Sequence, residues 1–149
     1  MTLDTPASTS VVVPSQPLAL DGVYEQILTR LKQHNYSDDD IFGVHLALEE
    51  AFLNAVKHGN KMNPNKTVTV EYSVNAEKTT ITITDEGDGF NPGSVPDPRV
   101  GEYLYEPDGR GLLLMNAYMD VVEYNERGNR VYMARFRNRS DADKKQNTA

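Results

Sequence analysis

Between Ile41 and Ile83 the apolar residues change period. Ile41, Val44, Leu48, Ala51, Phe52, Ala55 and Val56 recur at the spacing of an α-helix, about 3.6 residues per turn. Val68, Val70 and Tyr72, then Ile81 and Ile83, alternate with polar residues as in strands with one buried face. A striped helix and one-faced strands bury their apolar surfaces only against a second layer. The chain therefore reads as an α+β two-layer sandwich.

The flanking segments extend this pattern. Leu20, Val23, Ile27, Leu28 and Leu31 give an earlier amphipathic helix, and "VVVP" a short edge strand stopped by Pro14 and Pro17. Ser37, followed by Asp38, Asp39 and Asp40, is an N-cap with acids placed to meet the helix dipole, and Gly59, Asn60, Asn63 and Pro64 end the helix that starts there. Asn75 to Lys78 is the turn between the two strands. "DVVEYNERGNRVYMARF" reads as a hairpin around Arg127, Gly128 and Asn129. Residues 87–109 hold five glycines and four prolines, too many for a plain connector, and the expectation is a lid over about 90–109. Residues 1–10 and 139–149 are small, polar and aperiodic and read as mobile tails around a single domain, 11–138, without internal repeats.

Composition excludes several function classes. At 149 residues, 38% apolar and 25% charged, the chain has ordinary soluble composition and enough length for one core. A net charge of −7 argues against a nucleic-acid partner, which takes a basic surface to displace counterions. The absence of cysteine rules out disulfides, thiol catalysis and thiolate metal sites, and three scattered histidines lack ligand spacing. No Lys or Arg precedes residue 30, and the one early apolar run, Val11 to Val13, is far short of a signal peptide or membrane span. A cytoplasmic protein with no membrane partner is the expectation.

Three constellations carry chemistry. In "EEAFLNAVKHG", Glu50 and Asn54 stack one turn apart, away from the Ile41/Leu48/Phe52 stripe. A carboxylate and an amide oxygen there suit a base and a hard cation, or else simply a solvated helix face. In "TITITDEGDGF", Asp85 falls on the same side as Ile81 and Ile83 and needs a hydrogen-bond donor from protein, water or ligand. Gly87 and Gly89 leave room for a planar ligand or another backbone, although Asp and Gly are also ordinary turn residues. In "DGRGLLL", Gly109 and Gly111 precede a helix whose first N–H groups can face an anion, with Arg110 adding charge; a tight turn is the plainer alternative. The third glycine of a dinucleotide fingerprint is missing, and neither G-x-x-x-x-G-K-[ST] nor H-R-D nor D-F-G occurs.

Taken in order, "EEAFLNAVKHGN", "TITITDEGDGF", a long lid and "GRGLLLMNAYMD" before a hairpin, the chain resembles the GHKL (Bergerat) ATP-binding fold shared by DNA gyrase, MutL and histidine kinases. Within it the likeness is to the bacterial anti-sigma-factor serine protein kinases, over residues 10–138. The resemblance implies a mixed, mostly antiparallel sheet with helices on one face, and ATP and Mg²⁺ as cofactors. It implies that Glu50 is the base for a serine hydroxyl, that Asn54 holds the Mg²⁺, and that Asp85 takes the adenine amino group with Gly87 and Gly89 beside the ring. Gly109, Arg110 and Gly111 become the phosphate-facing end of the lid. Histidine kinases usually carry a glycine where Leu113 stands and need an upstream phosphoacceptor helix pair, for which the residues before Asp40 leave no room. Lys57 departs toward their pattern, either near phosphate or as a solvated helix-end lysine. Glu49, offset toward the apolar edge, is the weaker candidate base.

The leading expectation is thus a serine kinase that phosphorylates a STAS-type anti-anti-sigma partner and sequesters a sigma factor, with homodimerisation common in the resembled family. A non-catalytic, nucleotide-binding partner-switching module of the same fold is the alternative. A plain structural α+β domain, which predicts no ATP binding, is the third reading.

Overall fold

A computed structural model describes residues 8–87 and 107–138, with side chains in the third helix from Leu113 onward. Strand β1 (Thr9–Pro14) and a 3₁₀ turn (Pro17–Ala19) lead into helices α1 (Leu20–Gln33) and α2 (Asp38–Asn54). A single π turn (Ala55–Gly59) continues α2; strands β2 (Thr67–Val74) and β3 (Lys78–Asp85), helix α3 (Pro107–Tyr118) and strands β4 (Val121–Tyr124) and β5 (Arg130–Phe136) follow. The sheet runs β1-β2-β3-β5-β4, and every pairing among the described residues is antiparallel, where the resemblance implied a mixed sheet.

Register explains the layers. Val70 faces Ile83 and Tyr72 faces Ile81 across β2 and β3, while Ile81 faces Met133 and Ile83 faces Val131 across β3 and β5. These rows point at the helices and are buried with Ile27, Leu31, Val44, Leu48, Phe52 and Met115. Each large side chain so buried contributes roughly 1.5–3 kcal/mol, so the helix-facing rows hold the two layers together. The opposite face of the same strands carries Thr69, Glu71 and Ser73 against Thr84, Thr82 and Thr80, the polar half of the alternation.

Two boundaries differ from those the sequence suggests. Strand β1 starts at Thr9 and pairs Thr9 with Tyr72 and Ser10 with Glu71, within the stretch read as a tail. Ladder pairing is made by backbone, so two polar residues on an edge strand leave no apolar period to read. Pro14 is the last ladder position, opposite Thr67, where an edge strand tolerates a missing donor. Helix α3 begins at Pro107, inside the expected lid; the rest of that lid and both mobile-tail expectations beyond Ser8 and Asn138 lie outside the described residues.

The acidic start of α2 also divides. Ser37 caps the helix as its spacing predicts, its Oγ accepting from Asp40 N–H at 3.1 Å, and Asp38 and Asp39 are exposed. Asp40 is instead fully buried against Arg135 of β5, whose Nε and Nη2 both lie 2.9 Å from its Oδ1. Asn138 N–H donates to the other carboxylate oxygen at 2.7 Å, and Arg135 Nη1 donates to the Tyr118 carbonyl at 2.7 Å. One ion pair thereby joins α2, the end of α3 and the last strand.

Candidate functional site

The site is built where β3 runs out beside the π turn. Asp85, opposite Val68 in the last ladder position, keeps the helix-facing side of Ile81 and Ile83. Its backbone is fixed by an N–H donated to the Asn129 carbonyl at 2.9 Å and by a bond from Asn129 Nδ2 to its carbonyl at 3.3 Å. The carboxylate is only half-buried, and among the described residues it receives a single hydrogen bond, from Gly87 N–H to Oδ1 at 2.8 Å. Burial pushes its pKa above the ordinary value, opposed by the Gly87 N–H and by the positive charges of Lys66 and Arg127. It is an aimed acceptor with lone pairs to spare.

Two glycines form the walls around that carboxylate. A Cβ at Gly59 would lie 2.2 Å from Asp85 Cγ, and one at Gly87 would lie 1.8 Å from the Gly59 carbonyl oxygen. Neither side chain fits. Gly87 was singled out in the sequence, whereas Gly59 looked like a helix terminator and nothing more. Its second role comes from the π turn, whose wider i to i+5 winding is seen in the bond from Asn60 N–H to the Ala55 carbonyl at 2.8 Å. A sequence period of 3.6 carries no signal for one wide turn.

The other half of the site lies on α2. Glu50 and Asn54 are both partly buried, one turn apart, and Asn54 is the last residue before the π turn that delivers Gly59 to Asp85. Lys57 and His58, inside the π turn, are exposed. Glu49 is exposed on a different face, where it lines a shallow groove with Phe42, His45 and Leu46. Helix α3 packs along α2 with Tyr118 edge-on to Phe42 at 5.7 Å, so its C-terminal end lies at the start of α2 and its first turns run back toward Glu50 and Asn54. Gly109, Arg110 and Gly111 belong to those first turns. Gly89 lies outside the described residues.

The arrangement sets a hydrogen-bond acceptor beside two glycines at the end of the π turn, and a carboxylate and an amide one turn apart on the helix that this turn continues. Residues 13–135 match the family model of the histidine kinase-like ATPase domain. The chain belongs to this family. Within the histidine kinase-like ATPase family it is similar to the serine-protein kinase RsbW of Bacillus licheniformis, 34% identical over 118 residues that cover 72% of each protein. It is also similar to the RsbW of Bacillus subtilis strain 168, 30% identical over 146 residues, 88% of this chain and 86% of that one. A third relative, RsbW of Staphylococcus aureus, is 32% identical over 107 residues, 66% and 67% of the two chains. The α+β architecture and the GHKL likeness drawn from three short motifs are those of this family.

Among the described residues no group of three His, Cys, Asp or Glu is placed to hold a metal ion. No helix among the described residues is long and apolar enough to cross a membrane.

Proposed function

We propose that this chain is an ATP-dependent serine protein kinase of the anti-sigma-factor type, and the observation that carries the reading is the Asp85 carboxylate in its Gly59/Gly87 slot. A half-buried acceptor with one hydrogen bond among the described residues matches the exocyclic amino group of adenine, and glycine at 59 and 87 lets the two backbone segments close on that carboxylate with no side chain in the way. From there the triphosphate runs along α2 toward Glu50 and Asn54 and the glycine-bearing start of α3.

In this reading Asn54 supplies its amide oxygen to Mg²⁺, which when bound neutralises phosphate charge. Lys57, on the exposed side of the π turn, and Arg110, in the first turns of α3, add positive charge near the phosphates, with the free backbone N–H groups about Gly109 facing them and Gly111 closing the first turn beside them. Glu50 accepts the proton of the incoming serine hydroxyl as its oxygen bonds to the γ-phosphorus and the bond from that phosphorus to the departing ADP oxygen breaks. Positioning and charge neutralisation do most of the work in such a transfer. The serine belongs to a STAS-type anti-anti-sigma protein, and the second partner is a sigma factor held by the same chain; the similarity to RsbW supports both.

The test mixes the purified chain with a STAS-type protein and Mg-ATP and follows phosphate on the serine. Glu50→Gln is expected to lower transfer by roughly 10²–10⁴-fold, the worth of a general base, with ATP affinity retained. Transfer undiminished in that variant removes Glu50 as the base. ATP binding without transfer to any STAS protein favours the partner-switching module.

A further inference from the structure

Asn60 follows the π turn and is fully buried, and its sequence context marked it only as part of a helix stop. Its side chain is used at every position. Nδ2 donates to Ser15 Oγ at 3.0 Å and to the Thr67 carbonyl at 2.9 Å, and Oδ1 accepts the backbone N–H of Glu86 at 2.8 Å. Its backbone N–H closes the π turn on Ala55, and its carbonyl accepts Asn63 N–H at 3.0 Å. An amide is the one side chain of this size that offers two donors and an acceptor together.

Placement turns this network into more than a structural tie. Asn60 is the chain neighbour of Gly59, and Glu86 is the chain neighbour of Gly87. The Asn60–Glu86 bond therefore fastens together the two backbone segments whose glycines enclose the Asp85 carboxylate, and Ser15 and Thr67 brace it from β1 and β2. We propose that Asn60 is a positioning residue for base recognition, setting the separation of the Gly59 and Gly87 backbones and through it the aim of Asp85. The inference rests on reading Asp85 as the acceptor for the adenine amino group. It adds a consequence for specificity: guanine carries a carbonyl oxygen where adenine carries that amino group, so a carboxylate held in a fixed direction attracts one and repels the other. A carboxylate free to swing aside loses part of that discrimination.

Calorimetric titration of the full chain with Mg-ATP and with Mg-GTP tests this. Wild type is expected to favour ATP. Asn60→Ala, and Glu86→Pro, which deletes the N–H that Asn60 accepts along with an exposed carboxylate bonded to Thr67, should each narrow the ATP-to-GTP affinity ratio by about tenfold, the worth of one buried hydrogen bond, and Glu86→Ala controls for the carboxylate. Glu86→Ala keeps the N–H and should leave the ratio unchanged. Should Asn60→Ala fail to fold, Glu86→Pro still decides. A wild type without preference for ATP overturns the reading of Asp85 and this inference with it. A wild-type preference that survives both variants, or equal weakening of both nucleotides, overturns the inference alone and leaves Asn60 a structural residue.

Discussion

Asp40 and Asp85 are two aspartates turned toward the interior, and their surroundings differ in kind. Asp40 is fully buried and saturated: three nitrogens, two from Arg135 and one from Asn138, reach its two oxygens. Asp85 is half-buried and, among the described residues, receives one hydrogen bond, from a backbone N–H two residues on. The difference teaches what each carboxylate is for. A buried charge with both oxygens held by protein donors and a guanidinium against it is committed to the fold, and one left with spare acceptor capacity between two glycines can take something from outside.

Removing one partner of the saturated pair should give the largest effect. Arg135→Met leaves Asp40 charged, buried and unpaired, and should lower unfolding free energy by about 3–5 kcal/mol in a urea melt. A loss below 1 kcal/mol would show that the two aspartates differ less than their contacts imply. Gly87→Ala comes next. Its Cβ meets the Gly59 carbonyl oxygen, and overpacking of this kind costs roughly 1–3 kcal/mol while forcing apart the two backbone segments that hold Asp85, so ATP binding should vanish in the same variant.

Asp85→Asn should separate binding from stability. It puts amide hydrogens where the adenine amino group is expected, so ATP affinity should fall by at least about tenfold, with a melting midpoint close to wild type. A midpoint that collapses along with affinity would place Asp85 with Asp40 as a structural group. The smallest effect is on pH. Because burial raises the pKa of Asp85 in the folded state, ionising it opposes folding above that raised value, and the penalty is relieved as pH falls through it. Asp85→Asn should therefore be slightly more stable than wild type at neutral pH, the advantage disappearing in acid. ATP affinity of the wild type should begin to fall at a pH above the ordinary aspartate value of 3.8, as its carboxylate takes up a proton.

Much of this protein was legible in its residues because local rules governed them. The stripe from Ile41 to Val56, the alternation through Val70 and Ile83, the Ser37 cap and the turn at Asn75 follow from periods and side-chain hydrogen bonds that act within a few residues. So did the inward aim of Asp85, which needs only the two-residue period of a strand. The spacing of Glu50 and Asn54 likewise puts them one turn apart on the helix.

What remained hidden depends on residues far apart in the chain. Asp40 looks like its neighbours Asp38 and Asp39 until Arg135, 95 positions away, comes to lie against it. Gly59 and Asn60 read as the end of a helix because their partners, Asp85 and Glu86, arrive on another element, and because a single π turn has no signature in hydrophobic spacing. The sequence by itself determined the elements, the two layers and the inward aim of Asp85. Only the tertiary structure decided which inward carboxylate is neutralised and which stays open, since that depends on the partners that long-range packing brings within hydrogen-bond reach.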